Sequence, residues 1–274
     1  MSSKHRLILI ALATFGFFAA FTLLIFTRRN KHNPIVKSAS ALFVSILALG
    51  AIPAYASLFL YMDSASSFKC LARPWLQLTS FSIVVGCLIV KNIRVYFVYC
   101  KLPKRKLYLL KDRTMAAVLS ALICLEVMLL GGYSSVSNVE VNLSLSYRKE
   151  FQYRCINSRS GNQMNQILWG FNGVLLNTIL FVAYLSRKVG YAHSELSQLI
   201  VIYFCTAISI MLIFILRADD AIRQTESAFN EGVLIWFSTT VPILTQFVPK
   251  AIQLYNQEIL FVRYLCQVLS QELR

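Results

Sequence analysis

Charge is scarce in this sequence: Asp, Glu, Lys and Arg make up 14% of its 274 residues, 57% are hydrophobic, and the mean hydropathy is +0.60. A soluble domain of this length cannot bury so much apolar surface, so a water-soluble enzyme is excluded. Acids are scarcer than bases, 12 against 27 Lys and Arg. The +15 excess would suit nucleic acid, but the basic residues sit in short loops between apolar spans, the pattern of the positive-inside rule, and no nucleic-acid partner is expected. Catalytic motifs are missing too. There is no HExxH, no GxSxG and no pair of intramembrane aspartates, and His5, His32 and His193 lie in the N-terminal stub or in loops, so the chain is not read as an enzyme. None of the seven cysteines forms a CxxC pair, so neither metal nor cofactor is expected. No internal repeat is visible, which weighs against a transporter built from two similar halves.

What the sequence does hold is seven apolar runs of spanning length, at 7–27, 38–61, 70–99, 114–135, 163–186, 197–216 and 230–255. The expectation is an all-α membrane protein, one seven-helix bundle over 1–255 with a cytoplasmic tail over 256–274. The first run is longer than a signal-peptide core and ends in basic residues instead of a small-residue cleavage site, so it reads as the first membrane helix.

Seven crossings put the termini on opposite sides. The connections after spans 1, 3 and 5 and the tail carry Arg28, Arg29, Lys31, Lys37, Lys101, Lys104, Arg105, Lys106, Lys111, Arg113, Arg187, Lys188, Arg263 and Arg274. The other side holds nine: Lys4, Arg6, Lys69, Arg148, Lys149, Arg154, Arg159, Arg217 and Arg223. That margin predicts the N-terminus outside and the C-terminus in the cytoplasm. Asn142-Leu143-Ser144, a glycosylation sequon usable only in the lumen, falls on the predicted outer side. So do Cys70, at the start of span 3, and Cys155, before span 5, and an oxidising compartment lets them form a disulfide. Cys87, Cys124 and Cys205 lie within spans and read as packed thiols; Cys100 and Cys266 would face the cytoplasm.

Ionisable residues inside spans are costly and therefore informative. Arg94 and Lys250 are near enough to the inner boundary either to snorkel or to find a partner. Lys91 lies a turn deeper, which favours a protein partner, and the nearest candidate acid is Glu195 at the start of span 6. Such a pair would close the inner face until a cytoplasmic partner opens it. Glu126, in the middle of span 4, is protonated, bonded to a neighbouring helix, or part of a proton path. Pro53, Pro242 and Pro249 interrupt backbone hydrogen bonding in or near spans, and Asn172, Gly173 and Asn177 give span 5 a small, polar face. Trp75, Trp169 and Tyr61 read as anchors at the outer boundary, Tyr96 and Tyr99 as anchors at the inner one.

The residues of span 3, Cys70-Leu71-Ala72-Arg73-Pro74-Trp75-Leu76, then Phe81-Ser82, Gly86 and Lys91-Asn92-Ile93-Arg94-Val95-Tyr96, resemble the third helix of class C (family 3) G-protein-coupled receptors, closest to the GABA-B branch. Pro34 to Ser40 resembles the first cytoplasmic loop of that class, Phe181 to Val189 the end of its fifth helix, and Phe247-Val248-Pro249-Lys250 the inner end of its seventh. The resemblance implies a bridge from Cys70 to Cys155 and an inner-face ionic switch of Lys91, Glu195 and Lys250. It also implies a G-protein-facing surface that includes Lys37, Arg94, Lys101, Lys104, Arg105, Lys106, Lys111, Arg187 and Lys188. Glu126 matches an acidic position in helix 4 of GABA-B-type receptors. Two departures accompany these matches: span 6 lacks the tryptophan of the glutamate-receptor branch, and Glu195 is one residue out of register with the family's helix 6 acid, a rotation of about 100°.

The function expected is that of a plasma-membrane receptor core that passes a conformational change to a heterotrimeric G protein. Only six residues precede span 1, so the large extracellular ligand domain of the class is expected to be absent, and the small-molecule ligand is unknown. Membrane lipids and a homo- or heterodimer with a related subunit are the other partners implied. Two alternatives stay open: a proton-coupled carrier titrating Glu126, and a receptor subunit that does not couple without a partner.

Overall fold

A computed structural model describes residues 3–30, 41–62, 66–98, 112–137, 139–145, 151–187, 196–218 and 224–272. Seven helices fill most of it: α1 Ser3–Arg29, α2 Ala41–Met62, α3 Ser67–Tyr96, α4 Asp112–Val136, α5 Arg159–Ser186, α6 Leu196–Ala218 and α7 Gln224–Glu272. Each is long and apolar enough to cross a membrane. In hydrocarbon no water is at hand to satisfy free backbone groups, so an apolar run of this length is stable only as a helix that closes its own hydrogen bonds. The starts of α3 and α5 are capped: the Ser66 side chain accepts from the Lys69 backbone N–H at 3.3 Å, and Ser158 accepts from Gly161 N–H at 3.1 Å.

α3 is the central column. It packs against α2, α4, α5 and α7, and 67% of its apolar window is buried, against 17% for α4 at the rim. Close approach is secured by small residues and by hydroxyls turned onto neighbouring backbones. Gly16 of α1 lies directly under the Tyr55 ring of α2, and the Ser80 hydroxyl of α3 donates to the Gly50 carbonyl of α2 at 2.6 Å. The Cys87 thiol makes a similar bond to the Phe43 carbonyl at 3.0 Å.

The structure shows the seven-helix, all-α bundle expected from the sequence and adds two details to it. Between α4 and α5 lies a short antiparallel ribbon of β1 Glu140–Leu145 and β2 Phe151–Ile156, a small addition to the all-α bundle. Its register pairs Val141 with Cys155, Leu143 with Tyr153 and Leu145 with Phe151. Secondly, residues 256–272, expected as a cytoplasmic tail, are helical. α7 continues without a break to Glu272, and its 49 residues at 1.5 Å each reach roughly 73 Å, more than twice the hydrocarbon thickness.

Candidate functional site

Among the described residues three polar constellations interrupt the apolar interior, one at each end of the bundle and one in the middle. At the end away from the ribbon, Lys91 of α3 is buried and its ammonium donates to Gln246 Oε1 of α7 at 2.6 Å. Lys250, one turn further along α7, donates to the same oxygen at 3.1 Å. The Gln246 amide N–H in turn donates to Gln198 Oε1 of α6 at 3.1 Å. One glutamine thus ties the ends of α3, α6 and α7 together. Nearby, Arg94 forms an ion pair with Asp112 at the start of α4, bracing the α3–α4 corner. Arg187 is exposed and its guanidinium lies 3.9 Å over the Tyr184 ring. Glu195, Lys37, Lys101, Lys104, Arg105, Lys106, Lys111 and Lys188 lie outside the described residues.

In the middle, Glu126 of α4 is fully buried, and both its carboxylate oxygens face the Asn172 amide N–H of α5, at 3.0 and 3.3 Å. The orientation of that amide is fixed, because its nitrogen also donates to the Leu168 carbonyl at 2.9 Å and a carbonyl can only accept. Ser82 of α3 donates to the other side, Asn172 Oδ1, at 3.3 Å. Of the three roles open to Glu126, the described one is a bond to a neighbouring helix. Asn172 also borders a cavity of about 60 Å³ between α2, α3, α5, α6 and α7, walled by Phe81, Val85, Trp169, Ile210, Ile235 and Pro242, with Gln77, Ser80, Thr206, Ser238 and Thr239 as its other polar groups.

At the ribbon end, a disulfide joins Cys70 of α3 to Cys155 of β2, with Cα atoms 5.9 Å apart. Below it, Gln77 donates to the Tyr61 hydroxyl at 2.7 Å, which donates to Glu231 Oε2 of α7 at 3.3 Å. Arg73 donates to the Leu60 carbonyl at 2.7 Å and lies 4.3 Å over the Tyr61 ring. The side chain of Asn142, in β1, lies outside the described residues.

A sequence profile described as "7 transmembrane sweet-taste receptor of 3 GCPR" matches residues 1–250, nearly the whole chain. The chain belongs to the class C (family 3) G-protein-coupled receptors. Among curated relatives of this class C chain, metabotropic glutamate receptor-like protein C of Dictyostelium discoideum is 25% identical over 231 residues, 81% of this chain and 28% of that protein. Protein H of the same organism is 24% identical over 248 residues, 86% of this chain and 32% of that protein. The chain therefore spans about a third or less of the length of these relatives. Class C membership makes it a multi-pass membrane protein and implies a receptor, not an enzyme.

Several residues of this class C core hold positions that the sequence did not suggest. Tyr61 and Trp169 are not boundary anchors: Tyr61 is buried in the network under the disulfide, and Trp169 lines the cavity and packs edge-on against Phe214 at 5.1 Å. Tyr96 is buried instead of lying at the interface, and Tyr99 is outside the described residues. Trp75 is half-buried, its indole N–H donating to Ser134 at 2.7 Å. Cys87 is a packed thiol, but Cys124 is exposed on the outer surface of α4. Gln246 and Gln198 escaped notice because an uncharged amide inside a long apolar run stands out little; for Gln246 the four-residue spacing from Lys250, one turn of the same helix, could have found it.

Proposed function

We propose that this chain is the transmitting core of a plasma-membrane receptor, with its N-terminus outside, that relays a change of helix packing to a heterotrimeric G protein. The observation that carries the reading is the Lys91–Gln246–Lys250–Gln198 cluster, which ties α3, α6 and α7 at the end away from the ribbon. Two ammonium groups on one neutral oxygen repel each other, so the cluster is improved by a nearby anion, and Glu195 directly precedes α6. We assign Glu195 as the acid that completes this clamp. A ligand in the interhelical cavity, or a partner subunit, that prefers the unclamped arrangement then shifts the population toward the state a G protein binds. Lys37, Arg94, Lys101, Lys104, Arg105, Lys106, Lys111, Arg187 and Lys188 form the surface proposed to meet the G protein or anionic lipid.

Within the class, Glu126 and the lack of tryptophan in span 6 favour a GABA-B-like type, although the relatives named above carry metabotropic glutamate receptor-like names. A dimer with a related subunit and glycosylation at Asn142 belong to the same proposal. The test is basal G-protein activation in cells across a panel of subtypes, for the wild type and Lys91→Ala at matched surface expression. Activity that rises in the variant supports the reading, and charge reversal at both Lys91 and Glu195 is expected to restore the quiet state in part. Silence in both, or proton-driven flux abolished by Glu126→Gln, contradicts it.

A further inference from the structure

α7 runs on past its membrane-spanning window, which ends at Gln253, as far as Glu272, and at 1.5 Å per residue this carries the helix about 28 Å onward. One apolar stripe accompanies it. Ile252, Tyr255, Ile259, Val262, Cys266 and Leu269 recur at alternating intervals of three and four residues, the a and d positions of a heptad repeat. A 3.5-residue period is shorter than the turn of a straight helix, so such a stripe stays in contact only with a partner helix that supercoils around it.

The stripe starts in the open. Ile252 and Tyr255 are exposed, as are Leu244 and Val248 earlier on the same side of α7. At roughly 100° per residue the stripe lies about 160° around α7 from Ile243 and Gln246, which are buried and hold α7 to the bundle. The bundle therefore occupies one side of α7 and the stripe follows the other. Phe261, Tyr264 and Val268 fall on the bundle side and are not part of it.

Charge points to the occupant. Glu258 holds a g position and Arg263 an e position. In a parallel, in-register pair the g residue of one chain faces the e residue five places on in the other, so Glu258 meets Arg263 of a second copy, and the two-fold axis forms the pair twice. Copies inserted by the same loop charges share one orientation in the membrane, which makes parallel pairing the one available to them. About three heptads make a weak coil in free solution, but two chains held in one membrane meet at a raised effective concentration.

We propose that residues 252–272 of α7 pair with the same residues of a second copy of this chain as a parallel, in-register coiled coil. The inference deepens the dimer named under the receptor reading by giving the place where two copies meet; it does not depend on G-protein coupling. Because α7 is one helix from Gln224 to Glu272, a turn of α7 inside one bundle is passed directly to the seam it shares with the other.

Cys266 holds an a position and makes the native chain its own probe. Two differently tagged full-length copies are expressed together, and isolated membranes are treated with copper phenanthroline, which oxidises two apposed thiols to a disulfide. A dimer band carrying both tags is expected on a non-reducing gel, and its loss in Cys266→Ser. In that Cys266→Ser background, Val262→Cys on the seam is expected to restore the band and Gln267→Cys off the seam is not. Glu258→Lys is expected to weaken the native Cys266 band, and addition of Arg263→Glu to bring it back.

No band with both tags at Cys266 or Val262→Cys, equal crosslinking at Gln267→Cys, or a Cys266 band unaffected by Ile259→Asp and Val262→Asp together would each overturn the proposal. A Cys266 band that joins this chain to a protein of another mass would give the seam a different occupant and overturn it as well. Tags that co-purify without any seam crosslink would overturn the coil and leave the dimer reading standing.

Discussion

Gln246 Oε1 accepts hydrogen bonds from two lysine ammonium groups while its amide nitrogen donates to Gln198, so one neutral side chain joins three helices. Replacing it by leucine keeps the volume close but removes the shared acceptor, leaving buried Lys91 without that partner. A lost hydrogen bond to a charged group costs about 1.5–3 kcal/mol, so Gln246→Leu is expected to lower the melting temperature of the purified chain by several degrees. An unchanged melting curve would mean that Lys91 is held by other contacts. Gln198→Leu breaks only a bond between neutral amides, worth about 1 kcal/mol, and is expected to shift the curve less.

Elements here are held at close quarters by glycines and by a covalent tie. A side chain added at Gly16 would run into the Tyr55 ring, and Tyr55 is itself pinned by its hydroxyl to Thr240 of α7 at 3.0 Å. Gly16→Val is therefore expected to splay α1 from α2 at a cost of about 1–3 kcal/mol, measured as lost thermal stability, whereas the same change at Gly170, where nothing lies within 4 Å, is expected to be near neutral. The Cys70–Cys155 bond, between residues 85 positions apart, fixes the ribbon to the head of α3. Cys155→Ser is expected to cost about 2–5 kcal/mol, read by thermal unfolding with and without reductant; a wild type indifferent to reductant would contradict this.

How much could be read in advance follows from what each element depends on. The seven helices answer to length and apolarity alone, which a linear sequence states outright. The ribbon was legible too, in the alternation of Val141, Leu143 and Leu145 with polar residues and of Phe151, Tyr153 and Cys155 likewise, but six-residue strands carry a weaker periodic signal than the long apolar runs on either side. Glu126 announced itself as an ion in an apolar run, while its partner did not, since Asn172 meets it only through the rotation of α5 against α4. Tyr61 and Trp169 misled for the same reason: depth in the membrane can be counted along a helix, but which way a side chain turns is set by its neighbours.

At the scale of the whole molecule, the bundle is polar at both ends and around a small central cavity, and apolar between. The ribbon-end network crosses α2, α3 and α7; the opposite cluster crosses α3, α6 and α7; Gln77 belongs both to the first network and to the cavity wall. α3 and α7 run through all of these, so a guest in the cavity that shifts α7 against α3 acts on both ends at once. The most direct test of the clamp is nucleotide exchange on purified G proteins by the chain reconstituted in nanodiscs, comparing the wild type with Gln246→Leu and Lys91→Ala. The account predicts low exchange for the wild type and a rise in both variants, with no further rise when they are combined, because each opens the same contact. Exchange that stays at the wild-type level in well-folded variants would contradict it.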